Sequence, residues 1–162
     1  MGKTYWMLVT DQQNFDITRE QGFGVLGIDS HNRRKAVRIG PDDRVVYYVR
    51  DRRGFAAIAT VTSEHFEDHT RIWRGHREAE DFPHRVKVKP DVVLKSSSFI
   101  DATEIGPTLE YVKKWPAERW ELAFFGMLHI IPQRDFNMLE GEMNRLAGVE
   151  GATESFEESG LG

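Results

Sequence analysis

The chain contains no cysteine, which excludes a disulfide framework, a thiolate-held metal and a cysteine nucleophile at once. It also lacks any apolar run of about 18 residues, the length a helix needs to cross a bilayer. The opening residues, MGKTYWMLVT, show no apolar signal core followed by a small-residue cleavage site. These absences lead us to expect a cytoplasmic protein with no membrane partner. Net charge is low as well, at −4 over 162 residues. Residues 1–139 hold 21 Lys and Arg against 20 Asp and Glu, whereas residues 140–162 hold one Arg against six Glu. The acidity therefore sits at the end of the chain. Nucleotide-cofactor chemistry finds no support. The glycine-dense GFGVLG at 22–27 lacks both the Gly-Lys-Ser/Thr ending of a phosphate loop and the spacing of a dinucleotide fingerprint. Ser96-Ser97-Ser98 has no flanking glycines to make a nucleophile elbow. No cofactor is expected.

What is present fits one domain with its own core, 40% hydrophobic and 11% aromatic. Thr4–Thr10, TYWMLVT, has the aromatic and β-branched composition of a strand, and Asp11–Asn14 ends it with residues able to cap a short helical turn. Residues 22–28, with three glycines, suit a loop. A helix is expected from Arg33 to Arg38, capped by Asp29 or Ser30 and stopped by Gly40-Pro41. Strands are expected at 44–50 and 55–63, paired antiparallel across the Asp51–Gly54 turn, at 85–89 ending at Pro90, and at 127–131. Pro132 then opens an amphipathic helix carrying Phe136, Leu139, Met143 and Leu146. From residue 148 onward glycine, glutamate and serine dominate, and disorder is expected. Several strands and few helices without a βαβ rhythm indicate an α+β domain over residues 1–147, a curled sheet or small barrel.

Candidate sites lie where cations and aromatics interleave. SHNRRKA at 30–36 sits in a segment, 31–53, with eight Lys and Arg against three Asp. Its local field suits an anionic ligand. Strand alternation places Tyr47 and Tyr48 on opposite faces, so one faces the core and the other a ligand. His65, His69, His76 and His84, with Glu67 and Asp68, contain a ligand-like spacing, but no common helix face converges them. Solvated loop histidines are expected there, and no metal. Lys87 and Lys89 mark an edge guarded against pairing, which suits a monomer.

The order of YWMLVT, FDITREQGFGVLGI, HNRRKAVRIGPDDRVVYYV and FAAIATVTSEHFEDHTRIW, extended by RVKVKPDVVL, YVKKWP and LHIIPQRDF, resembles the EVE domain family, in its stand-alone branch. The resemblance covers about residues 3–146. It implies a PUA-like mixed β pseudo-barrel with flanking short helices, akin to YTH and ASCH domains. It also implies a non-catalytic module that holds a modified base of DNA or RNA in an aromatic-lined pocket. On this resemblance Val9 and Thr10 form the pocket edge, with Asn14 just beyond. Phe23, Gly24, Val25 and Leu26 are similar to a YGVW stretch of YTH domains, Leu26 standing at the cage tryptophan. Trp6 and Tyr48 are expected to complete the pocket. His31, Asn32, Arg33, Arg34, Lys35 and Arg53 would form a phosphate-binding rim. The implied partners are a modified nucleic acid and, separately encoded, a nuclease or processing enzyme. The alternative is an ASCH-like amidohydrolase acting on an acylated nucleoside, with Thr10 as nucleophile, Lys35 as base and Glu64 as the carboxylate.

Overall fold

The computed structural model describes residues 3–149 and 151–154. Its elements in chain order are β1 (Tyr5–Thr10), α1 (Gln12–Glu20), β2 (Val25–Ile28), α2 (Arg33–Ala36), β3 (Arg44–Val49) and β4 (Gly54–Val61). There follow β5 (Phe66–Glu67), β6 (His84–Val93), β7 (Ile100–Asp101), α3 (Ala102–Ile105), β8 (Leu128–Ile130) and α4 (Gln133–Ala147), with short 3₁₀ turns between several of them. The strands form one curled sheet ordered β2-β6-β4-β3-β1-β8, with β5 added to β6 and β7 to β4. This is the α+β pseudo-barrel expected.

The strand pattern follows from side-chain alternation. Trp6, Leu8, Val45, Tyr47 and Val49 point to the concave side, into a core shared with Phe15, Phe23 and Leu26. Met7, Val9, Val46, Tyr48 and Ile58 point to the opposite side, where α4 and the 100–124 segment cover them. Both sheet faces are therefore buried, which explains strands that read as nearly continuous apolar runs.

Several elements differ from the sequence expectation. Residues 25–28 form β2, hydrogen-bonded to β6, rather than a loop. The helical turn after β1 is a full helix, α1, capped by the Asp11 side chain accepting from Asn14 N at 2.8 Å. The basic helix is shorter than expected and stops at Ala36. Strand β6 runs past Pro90, because the pairing with β4 jumps from Ile58↔Val92 to Ala59↔Pro90 and lets proline sit at an irregularity. It is an interior strand, so Lys87 and Lys89 guard no edge, and the argument for a monomer from them falls. Strands β1 and β3 pair in parallel, joined by a crossover through α1, β2 and α2. The chain stays packed beyond residue 147. Lys95 N donates to Ala152 O at 2.9 Å and Glu154 N to Val93 O at 2.7 Å, so the expected disorder is corrected for residues 151–154. For residues 155–162 that expectation lies outside the described residues.

One carboxylate ties the crossover together. Asp43, 7% exposed, accepts from Thr4 N at 2.9 Å, Trp6 Nε1 at 2.9 Å and Gly40 N at 3.1 Å. It fixes the start of β1, the end of the α2 region and the entry to β3. We expect Asp43→Ala to destabilise the fold by about 3 kcal/mol in urea unfolding with unchanged m, since the donors it strands include a buried indole N–H. A loss below about 1 kcal/mol would show that solvent replaces the carboxylate.

Candidate functional site

Because β1 and β3 are parallel, both end at the same rim of the sheet, at Thr10 and Val49. Around that rim the start of α1, residues 29–32, residues 74–77 and the 126–127 lip enclose a cavity of about 480 Å³, within the range of small-molecule sites. Val9, Thr10, Asn14, Phe82 and Met127 line its inner part, and His31, Asn32, Arg50, Arg74, His76 and Arg77 its outer part. Thr10, Asn14, Phe82 and Met127 also line a smaller recess of about 20 Å³. Leu8, Thr18, Leu26, Gly27, Tyr47 and Trp73 complete that recess.

Trp73 is the recess's main wall. It is 4% exposed, and its Nε1 donates to Thr18 Oγ1 at 2.9 Å. One edge of its six-membered ring comes so close to the β2 backbone that a Cβ at Gly27 would lie within 2.2 Å of its Cζ3. The glycine is there for that close approach. Arg85 holds the other side, with its guanidinium 5.2 Å from the Trp73 ring centroid. Phe82 meets Trp73 edge-on at 6.2 Å and has φ +50°, a left-handed conformation uncommon for a bulky residue.

Asn14 is locked in place. Its Nδ2 donates to Arg74 O at 2.8 Å, and its Oδ1 accepts from Arg74 N at 2.9 Å. It thereby staples α1 to the 74–77 segment. The cavity's carboxylates are similarly engaged. Asp11 caps α1, Asp29 accepts from Asn32 N at 3.0 Å, and Glu80 accepts from Ser30 Oγ at 3.0 Å and Phe82 N at 2.8 Å. By contrast Arg50, Arg74 and Arg77 are exposed and form no ion pair among the described residues.

The structure brings together Val9, Thr10, Asn14, His31 and Asn32 at the cavity and Leu26 in the recess. Other expected residues lie elsewhere. Trp6 is in the core, bonded to Asp43. Phe23, fully buried, packs edge-on against Phe15 and Tyr47 behind the recess. Gly24 and Val25 belong to the β2 edge and line neither space. Tyr48 faces the other side of the sheet, stacked on Phe124 with ring centroids 4.3 Å apart, and burial pushes its phenol up to about 12. Tyr47 is the tyrosine that faces the recess. Arg33, Arg34 and Lys35 flank the cavity on α2 without lining it, and Lys35 Nζ donates to Leu128 O at 2.8 Å. Arg53 pairs with Glu121 at 2.8 Å, away from the cavity. Neither Lys35 nor Glu64 lines the cavity with Thr10.

Sequence reasoning left Tyr47 as one of two candidate tyrosines, did not place Trp73 at the pocket, and missed Phe82, Arg50, Arg74 and Arg77. The signal was available in RIWRGHR at 71–77, the same cation–aromatic interleaving noticed at 31–53. Among the described residues no group of three or more His, Asp or Glu side chains is placed to hold a metal. His65 Nε2 and His84 Nδ1 are 3.1 Å apart in a stacked pair, and His69 sits between Glu67 and Asp81.

The EVE domain family model matches residues 4–125. UPF0310 protein PH1033 of Pyrococcus horikoshii is 30% identical over 148 residues, covering 85% of this chain and 97% of its own. UPF0310 protein PYRAB08750 of Pyrococcus abyssi is 26% identical over 146 residues, with the same coverage of each. Among solved structures, an Mmi1 YTH domain in complex with RNA is similar with a TM-score of 0.66 at 9% identity, over 94% of this chain and 85% of that one. The YTH domain of Zygosaccharomyces rouxii MRB1 protein, in complex with N6-methyladenosine RNA, has a TM-score of 0.59 at 14% identity, over 86% of each chain. At such identities the likeness is one of fold.

Two outcomes follow from the geometry. Gly27→Ala must displace the Trp73 ring, and we expect a loss of about 1–3 kcal/mol from overpacking. The Trp73 indole N–H resonance should shift with it, and an unmoved resonance would contradict the contact. The second outcome concerns pH. Burial holds both His84 and His129 below the ordinary histidine value, with His65 adding to the effect on His84. A depressed histidine contributes stability that is complete above its unfolded pKa of about 6.5 and is lost as pH falls below it. His69 is shifted upward but is fully exposed, so it offsets little. Tm should therefore fall as pH drops from 7 to 5, and His129→Gln should flatten that fall. A profile left unchanged by both His129→Gln and His84→Gln would refute the assignment.

Proposed function

The chain belongs to the EVE domain family, and from that premise we propose that it is a nucleic-acid-binding module that takes a modified base into the cavity at the ends of β1 and β3. The observation that carries this reading is the pairing of two spaces. One is a cavity of about 480 Å³ bordered by exposed arginines, and the other a small aromatic-walled recess opening from it. Single-stranded or flipped bases are held in this way, with stacking on a ring worth about 1–3 kcal/mol and cations on the backbone supplying the rest. Two structures of similar fold are complexes with RNA, one of them N6-methyladenosine RNA.

In this reading the base enters between Met127, Phe82 and the Asn14–Arg74 staple, and its substituent points at Trp73 and Leu26. Thr10 and backbone groups at the ends of β1 and β3 offer hydrogen bonds to the base edge. Arg50, Arg74 and Arg77 take phosphates, and α2, through Arg33, Arg34 and Lys35, extends the cationic surface beside His31 and Asn32. The Asp11, Asp29 and Glu80 carboxylates do not oppose this, because their oxygens already accept bonds that shape the helical start and the loop.

The division of labour makes a separable prediction. Replacing Arg74 and Arg77 together by alanine should weaken binding to plain and modified oligonucleotides alike. It should also reduce the slope of log affinity against log salt by about 0.7–0.9 per lost phosphate contact. Trp73→Phe should instead lower the preference for modified over plain strands while leaving that slope unchanged. Fluorescence anisotropy on DNA and RNA strands at several salt concentrations reads both. Identical behaviour of the two variants would sink the rim-and-pocket division, and the absence of oligonucleotide binding by the parent chain would sink the function.

A further inference from the structure

One aromatic side chain stands outside both cores. Phe125 is 78% exposed, and among the described residues no other aromatic side chain is exposed. A single exposed apolar side chain needs no explanation by itself, but the setting of this ring is specific. Phe125 directly precedes Gly126, which with Met127 forms the lip of the cavity, and it does not line the cavity itself. The ring therefore stands outside the mouth, beside the place where a base would enter.

Its position is fixed from both sides. Phe124, one residue before, is 4% exposed and stacked on Tyr48. The extended backbone at Phe125 turns its side chain the opposite way. Phe125 N donates to Leu122 O at 3.1 Å. On the other side, Gly126 O accepts from His129 Nε2 at 3.1 Å and Met127 O from Val9 N at 2.7 Å. A ring with its backbone held in this way loses little freedom when another ring stacks on it.

Charge narrows the occupant. Leu122, 41% exposed, joins Phe125 on the same turn, and its neighbour Glu121 is paired with Arg53 at 2.8 Å. Arg53 closes the turn that follows β3, and Arg50, at the start of that turn, lines the cavity. The apolar patch thus runs from the cavity lip to a turn carrying Arg50, Arg52 and Arg53, with Glu121 neutralised between them. An aromatic face between a cavity large enough for one base and cations suited to a phosphate backbone is an arrangement that holds a flanking base. We propose that Phe125 is a stacking platform for the base adjacent to the one held in the cavity. A ring accepts the face of any base, so this subsite adds affinity without adding sequence preference. The inference rests on the base-binding reading and deepens it.

The test is anisotropy with labelled DNA and RNA strands of equal length and charge. Each carries one central base (cytosine, 5-methylcytosine or N6-methyladenine), flanked on both sides by pyrimidines or by abasic residues. Equal numbers of phosphates cancel the cationic contribution, so the ratio of the two affinities reads the flanking bases. The parent chain is expected to bind the pyrimidine-flanked strand about tenfold more tightly, the scale of one base stacked on one ring. Phe125→Ala should bring that ratio to within about twofold, leaving the affinity for the abasic-flanked strand and the ranking of central bases in place. Phe125→Trp should keep the ratio, whereas Phe125→Leu, apolar but without a π-face, should reduce it. Thermal melting checks that each variant is as stable as the parent, and if one does not fold the other two and the parent's own ratio still decide. A parent ratio near one, or a Phe125→Leu variant that binds as the parent does, overturns the platform and leaves the base-binding reading standing. So does a Phe125→Ala variant that keeps the ratio. If that variant also turns a dimeric parent monomeric in size exclusion, the ring belongs to a contact with a second copy. No binding of the parent to any strand overturns both readings.

Discussion

Arg85 is a charge placed where the protein has no water to give it. Its side chain is 1% exposed, and the guanidinium donates to the carbonyls of Phe82 and Asp81, each at 3.0 Å, and of Thr70. Asp68 stands 3.5 Å from its Nη1. Burial pulls its pKa down, and Asp68 and Asp81 oppose that. A planar five-donor group suits the task, because one side chain on a regular strand can satisfy several carbonyls of an irregular segment. Residues 68–83 have almost no regular structure, so their backbone groups need partners from elsewhere. Arg85 supplies them, and in the same position its face meets Trp73. The recess wall is thus fixed by a strand residue acting through a loop.

That arrangement explains how a site of loops remains defined. Of the segments around the cavity, residues 74–77 are held by Asn14 from α1, and residues 29–32 by Asp29 and by Glu80. The lip is held by His129, whose Nε2 bonds Gly126 O at 3.1 Å while Nδ1 meets the Tyr111 hydroxyl at 2.8 Å. Gly126 itself has φ +88°, a conformation that a side chain would strain. Each tether starts on an element whose own position is set by the two buried faces of the sheet. The parallel pairing of β1 and β3 makes this possible, since it brings two strand ends and a helix start to one rim.

Local chemistry made much of the fold legible from the sequence. β1, β3, β4, β8 and α4 appear where composition and periodicity place them, because each buries a face that the pattern marks. β2 was hidden because Gly24 and Gly27 look like loop residues. Gly27 is a strand glycine, required by the Trp73 ring that arrives from far along the chain. The same distance in sequence concealed much of the site. Val9, Thr10, Asn14 and Leu26 were legible through their ordered resemblance to a family. Trp73, Phe82 and Arg85 act through an irregular segment without a period to read. Tyr47 and Tyr48 show the limit of alternation. It separates their faces but says nothing of what covers each, and here Phe124 covers Tyr48.

The mildly acidic total charge turns out to be a poor guide to the cavity. Carboxylates that line it are consumed by the loop geometry: Asp11 and Asp29 accept from backbone N–H groups at the starts of helical turns, and Glu80 bonds Ser30 and Phe82. An anion near a helical start is stabilised there. The arginines at 50, 74 and 77 have no such engagement in ion pairs among the described residues, so their charge faces solvent. Around the rim the three arginines are exposed, whereas Asp11, Asp29 and Glu80 are half-buried. Focusing by such a cleft depends on this ordering of charge with depth rather than on its sum. The ordering is what an anionic backbone outside and a neutral base inside would require.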